Sequence, residues 1–171
     1  MQKPFKKGGL RPLAFTLIEL MLAIIIIAVL TTGFALTFQR ATLKATFDDQ
    51  VTQITAIIEK AGSYALSNLL VNDSEPAEYY YLYIMTSKIT LSAVDADGAS
   101  ETLETFTFED GFTMNAAAKI YYFPPDGTVC FSTDCSDTTT TKRVTFRDSD
   151  RTYQTRFAIT KYGGYPEITE L

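Results

Sequence analysis

Between Phe15 and Phe38 the chain reads FTLIELMLAIIIIAVLTTGFALTF, with Glu19 as its one charge. As a helix rising ~1.5 Å per residue this run reaches about 36 Å, against ~30 Å of bilayer hydrocarbon. A helix apolar on every face is either a membrane span or a helix buried deep in a core, and few soluble folds offer the second. The preceding segment, MQKPFKKGGLRPLA, carries Lys3, Lys6, Lys7 and Arg11 and no acid, while only Arg40 and Lys44 follow the run closely. That bias places residues 1–14 in the cytoplasm and the body of the chain outside. A secretory signal peptide is the rival reading. Its apolar core is ordinarily ~7–15 residues and closes at a small-x-small site. Here the run is longer, and Thr31-Thr32-Gly33 is followed by more apolar sequence up to Phe38.

The 171 residues include no His, no Trp and two Cys. Without His there is no serine triad, no His-based zinc site, no haem ligation by His and no imidazole acid–base chemistry. Two cysteines cannot form a four-cysteine metal site. No paired-carboxylate motif or phosphate loop stands out. The expectation is therefore a protein without catalytic residues, cofactor or metal, and not an enzyme.

Glu19 is the anomaly of the apolar run, because an intramembrane carboxylate costs up to about 2.5–3.5 kcal/mol and is usually paired and functional. A carboxylate that snorkels to the headgroups is the alternative. Its surroundings, Leu13-Ala14-Phe15-Thr16-Leu17-Ile18-Glu19-Leu20 behind a short basic leader, resemble the processing site of type IV pilins and type II secretion pseudopilins. The resemblance implies cleavage between Ala14 and Phe15 by a membrane-embedded prepilin peptidase, which also methylates the new N-terminus on Phe15. The family usually has Gly where Ala14 stands. It also implies that Glu19 meets the N-terminus of a neighbouring subunit, removing two bare charges from a low dielectric and setting the stagger of a filament.

Beyond the span, Phe47, Val51, Ile54, Ile58, Ala61, Ala65 and Leu69 fall at helical spacing, with no Pro between Pro12 and Pro76. This predicts one helix from about Phe15 to about Leu70, closed by Asn72-Asp-Ser-Glu-Pro76. Gly33 marks either a local bending point during assembly or a close-packing glycine. After residue 71 the pattern changes to short runs: Tyr79–Met85, Lys88–Val94, Thr102–Phe108, Lys119–Phe123, Thr128–Phe131, Arg143–Arg147 and Thr152–Lys161. Asp97-Gly98, Asp110-Gly111, Pro124-Pro125-Asp126-Gly127 and Asp148-Ser149-Asp150 separate them as turns. The expected fold is α+β. A long transmembrane then amphipathic helix packs on an antiparallel, sandwich-like β-rich head, the domains being 1–14 (leader, cleaved), 15–38 (span), 39–70 (amphipathic continuation) and 71–171 (head). Tyr79-Tyr80-Tyr81 is either strand packing with one exposed ring or an interaction surface.

Ile120-Tyr-Tyr-Phe-Pro-Pro-Asp-Gly-Thr128 and Arg156-Phe-Ala-Ile-Thr-Lys-Tyr-Gly-Gly-Tyr165 resemble a hairpin and the closing strand of the H-type minor pseudopilin head. The same head occurs in minor pilins of fimbrial biogenesis and DNA uptake. By that resemblance the protein is a minor pseudopilin or minor pilin near the tip of a filament. It sits in the bacterial inner membrane with its head in the periplasm, and its partners are the peptidase, other pilin or pseudopilin subunits, the inner-membrane assembly platform and membrane lipid. In that oxidising compartment Cys130 and Cys135 are expected to form a disulfide. A redox or metal role is the lesser alternative, since there is neither Cys-x-x-Cys nor His.

The net charge of −5 hides segregation: without residues 1–14 it is −9, yet residues 142–161 carry six bases against two acids. Strand alternation puts Arg143 and Arg147 opposite Val144 and Phe146, and Arg156 opposite Tyr153, Phe157 and Ile159. If the two runs pair, Arg143, Arg147 and Arg156 share one face. That face is solvated, contacts the acidic flank of a neighbouring subunit, or holds DNA phosphates, as in a natural-transformation pilus.

Overall fold

The computed structural model describes residues 16–67, 70–71, 75–161 and 165–171. The chain is α+β, as expected: among the described residues one helix, α1 (Leu17–Ser67), is followed by eleven strands that pair antiparallel throughout. It divides into two compact units, residues 1–42 and 43–171.

In the first unit the apolar window of α1 is not buried inside the chain. Ile18, Met21, Ile25, Val29 and Phe34 are all more than half exposed. A helix hidden in a soluble core is thereby ruled out for these residues. The polar groups of the run are satisfied within it. The hydroxyls of Thr31 and Thr32 donate to the carbonyls of Ile27 and Ala28 at 2.9 and 2.8 Å, and Thr37 to Gly33 at 3.1 Å. Such back-bonding lets a hydroxyl sit in hydrocarbon without a bare donor. Nothing lies within 4 Å of the position a Gly33 side chain would take.

In the second unit α1 turns amphipathic. Phe47, Ile54, Ile57, Ile58, Ala61 and Ala65 are buried, and Val51 is packed against them. Each large apolar side chain so buried contributes about 1.5–3 kcal/mol. The strands are β1 (Leu70–Val71), β2 (Glu75–Pro76), β3 (Tyr79–Ile84), β4 (Lys88–Val94), β5 (Ser100–Thr107), β6 (Phe112–Met114), β7 (Ala118–Phe123), β8 (Thr128–Cys130), β9 (Thr141–Asp148), β10 (Gln154–Thr160) and β11 (Pro166–Glu170). They form a five-stranded sheet in the order β5-β4-β3-β7-β8, a four-stranded sheet β11-β10-β9-β6, and the small pair β1-β2.

Helix and both large sheets share one core. Phe47 meets the four-stranded sheet, with ring centroids 5.3 Å from Phe146 and 6.1 Å from Phe112. Later turns meet the five-stranded sheet: Tyr64 lies 6.2 Å from Tyr80, and Lys60 pairs with Glu104. Between them the buried Gln50 accepts from the Glu109 N–H and donates to its carboxylate, both at 3.4 Å. Of the three consecutive tyrosines, Tyr80 is buried while Tyr79 and Tyr81 are half-buried on the opposite face, which is the packing that strand alternation dictates.

All four expected turns are in place. Gly98, Gly111 and Gly127 adopt positive φ of 81°, 91° and 69°, a conformation costly to residues with a Cβ. Several boundaries differ. The helix ends at Ser67, and Leu70, taken as its last residue, lies in β1. Ser67 and Asn68 are poor helix formers, and the Ser67 hydroxyl donates to the Tyr64 carbonyl. Leu69 and residues 72–74 fall outside the described residues. Four strands lie outside the runs expected from the sequence: β1 and β2, two residues each, β6, only three residues long, and β11, a short strand with no buried residue. The run Arg156–Tyr165 is therefore not the closing strand, because β11 follows it and pairs with β10. The glycine turn at 163–164 lies outside the described residues.

Candidate functional site

Three places carry the residues singled out from the sequence. The first is the start of α1. Thr16 precedes the first helical residue, and its N–H and hydroxyl donate to Glu19 Oε2 at 3.0 and 2.9 Å. The Glu19 N–H returns a bond to the Thr16 hydroxyl at 3.3 Å. This reciprocal pair is a capping box, which satisfies helix donors that have no partner within the helix. Glu19 therefore has a structural task within its own chain, a role absent from the sequence reading although Thr-x-x-Glu before an apolar run is its signature. Only Oε2 is used. Among the described residues Oε1 accepts no hydrogen bond, so the carboxylate keeps acceptor capacity for an outside cation. Ala14 and Phe15, the expected cleavage site, lie outside the described residues.

The second place is the outer face of the four-stranded sheet. In the β9–β10 register Arg147 is opposite Gln154, Thr145 opposite Arg156 and Arg143 opposite Ala158. Val144, Phe146, Phe157 and Ile159 point into the core. The pairing thus brings Arg143, Arg147 and Arg156 to one face, with Arg143 and Arg156 exposed and Arg147 half-buried. Among the described residues none of the three guanidinium groups is in an ion pair or hydrogen bond. Strand β11 adds Glu167 to this face, opposite Ala158. The arrangement suits an anionic surface as a partner.

The third is the loop after β8. Cys130 and Cys135 are joined by a disulfide with their Cα atoms 5.2 Å apart. Asp134 Oδ1 accepts from the Ser136 N–H and hydroxyl, and Asp137 Oδ1 from the Thr139 N–H at 2.7 Å. These bonds, chiefly to the Ser136 and Thr139 side chains, hold both carboxyls below the usual aspartate value, and Lys142 and Lys161 add to the effect at Asp137. Lys161 Nζ donates to the carbonyls of Cys135 and Asp137, both at 3.3 Å, tying the loop to the end of β10.

Among the described residues no group of His, Cys, Asp and Glu is placed to hold a metal. Comparison with known proteins returned no match, whether to a family model, a curated protein or a solved structure.

Proposed function

We propose that the chain is a minor subunit of a type IV pilin-like filament, a minor pseudopilin of type II secretion or a minor pilin of a pilus machine. In this reading a prepilin peptidase removes residues 1–14 between Ala14 and Phe15 and methylates Phe15. The apolar half of α1 then anchors the subunit in the bacterial inner membrane, with the β-rich unit in the periplasm. From there the assembly platform moves it into a filament alongside other pilin or pseudopilin subunits, near the tip. The work is assembly and not catalysis.

The observation that carries this reading is a single helix of two characters. Its first half is apolar on all sides and unburied, beginning at the Thr16–Glu19 pair, while its second half is locked into a β-rich core. Lipid or the helices of other subunits would cover the first half equally well, so moving between them costs little transfer free energy. Removal of the leader would leave an ammonium one residue before Thr16. The unused Glu19 Oε1 is the acceptor for such an ammonium from a neighbouring subunit.

Two variants separate capping from charge pairing. Glu19→Gln keeps a side chain able to close the capping box but has no charge, whereas Glu19→Ala has neither. Both should insert in the membrane, and both should fail to enter filaments when incorporation is read by cross-linking to a neighbouring subunit. Normal assembly of the Gln variant would sink the charge-pairing model.

The joint placement of Arg143, Arg147 and Arg156 favours a second reading, in which the subunit belongs to a DNA-uptake pilus and binds duplex DNA through this face. Changing each arginine to Gln should then reduce the steepness of the logarithmic salt dependence by about 0.9. Binding that ignores all three changes rules the face out.

A further inference from the structure

The outer face of the five-stranded sheet carries a second feature, independent of the filament reading. Tyr79 and Tyr81 on β3 and Tyr121 on β7 project from it, with Tyr81 directly opposite Tyr121. Their rings are coupled: Tyr79 lies 5.8 Å from Tyr121 edge-on, and Tyr81 lies 6.3 Å from Tyr121. The Lys119 ammonium stands 5.7 Å from the Tyr81 ring and 5.0 Å from that of Tyr83. Together with Val94, Gly98, Ser100 and Thr133 these tyrosines and Lys119 line a groove of about 320 Å³. The β4–β5 turn supplies one side through Gly98 and Ser100. The disulfide loop supplies Thr133 on the other, fixed there because Cys130 pairs opposite Tyr121 across β7 and β8.

We propose that this groove binds a short saccharide bearing a carboxylate. Three half-exposed rings offer apolar, electron-rich faces to the C–H side of a pyranose. Three phenols and the hydroxyls of Ser100 and Thr133 supply donors and acceptors for sugar hydroxyls. Lys119, the single charged residue of the lining, sits where it can meet one acidic substituent. The volume is at the small end of ligand clefts. Aromatic platforms on a sheet also stack single-stranded nucleic acid, but those sites track the phosphates with several cations. Here there is one. Proline-rich peptides dock on aromatic grooves as well, but as an extended helix along an open track, and this groove is bounded by the turn and the disulfide loop.

The test uses the full chain in nanodiscs, which avoids sugar-based detergents. Tyrosine emission reports binding directly because the chain has no Trp, and calorimetry gives affinity. The probes are a disaccharide of N-acetylated hexosamines carrying one lactyl carboxylate, its neutral counterpart, a decaproline peptide and an oligothymidylate. The acidic disaccharide should bind saturably and about tenfold more tightly than the neutral one. Tyr121→Ala should weaken both by about tenfold or more, while Tyr121→Phe keeps most of the affinity by preserving the ring. Lys119→Met, at an exposed position, should abolish the preference for the acid. The proposal is overturned if neither saccharide saturates, if Lys119→Met leaves the preference intact, or if the peptide or oligonucleotide binds in preference to both.

Discussion

Tyr122 is buried to the hydroxyl, and among the described residues that hydroxyl has no partner. Burial also pushes the phenol's pKa up, so the group stays neutral at any physiological pH. An unsatisfied buried hydroxyl costs about 1–3 kcal/mol, and no contact among the described residues offsets it. Tyr122→Phe keeps the ring and should raise stability by about 1 kcal/mol in chemical denaturation. Gly127 is the opposite case. It holds φ at 69°, and a Cβ there would meet Leu66 Cδ2 and Cγ of α1 at 3.2 and 3.3 Å. Gly127→Ala should therefore lose about 1–2 kcal/mol, from the left-handed backbone together with the displaced Leu66 side chain. Asp-Gly announced the turn in the sequence. The contact with Leu66 was not legible, because residues 66 and 127 come together only when helix and hairpin pack. At the same scale, Glu19 was visible as an anomaly and assigned outward, while its bond to Thr16 three residues away went unread.

At the scale of elements, legibility follows alternation sustained over enough residues: β5, with no buried residue, is legible, and the buried but three-residue β6 is not. The strands β3, β7 and β9 alternate buried and open positions, and β4 and β10 do so over their first four residues, so their sequences carry the period of two. Strand β11 has no buried residue and left no such trace, being defined by pairing with β10 alone. The register of β9 on β10 followed from the same alternation, which is why the three arginines were legible as a set. The groove was not, since it needs Thr133 from a loop without periodicity. That loop should respond to acid. Asp134 and Asp137 have folded pKa values below the ordinary 3.8. A depressed carboxyl contributes stability fully present above the unfolded value and lost as pH falls through the folded one. In an NMR titration the Ser136 and Thr139 amide signals should hold steady down to about pH 4 and move only below it. An onset near pH 6 would point to another group.

For the whole molecule, the division between residues 42 and 43 has a mechanical consequence. Among the described residues, every buried apolar residue of α1 lies at Phe47 or beyond, and the exposed apolar run lies before it. The helix is continuous in backbone, but its first half is apolar and unburied while its second half belongs energetically to the sheets. A chain of residues 43–171 should thus be water-soluble and unfold cooperatively as one unit, because helix and both sheets share a single core. Phe47 is the residue on which this rests. It touches Phe112, Phe146 and Tyr153, and so joins the helix to the four-stranded sheet. Phe47→Ala in the truncated chain should cost about 3–5 kcal/mol, because the rings around it are held by strands that cannot close the cavity. Truncation itself removes no core contact and should leave the thermal midpoint of the β-rich unit within a few degrees of that in the full chain. If instead truncation at residue 43 lowered stability as much as Phe47→Ala does, the two halves of the helix would be one cooperative element. The apolar half would then be part of the fold and not a separate element attached to it.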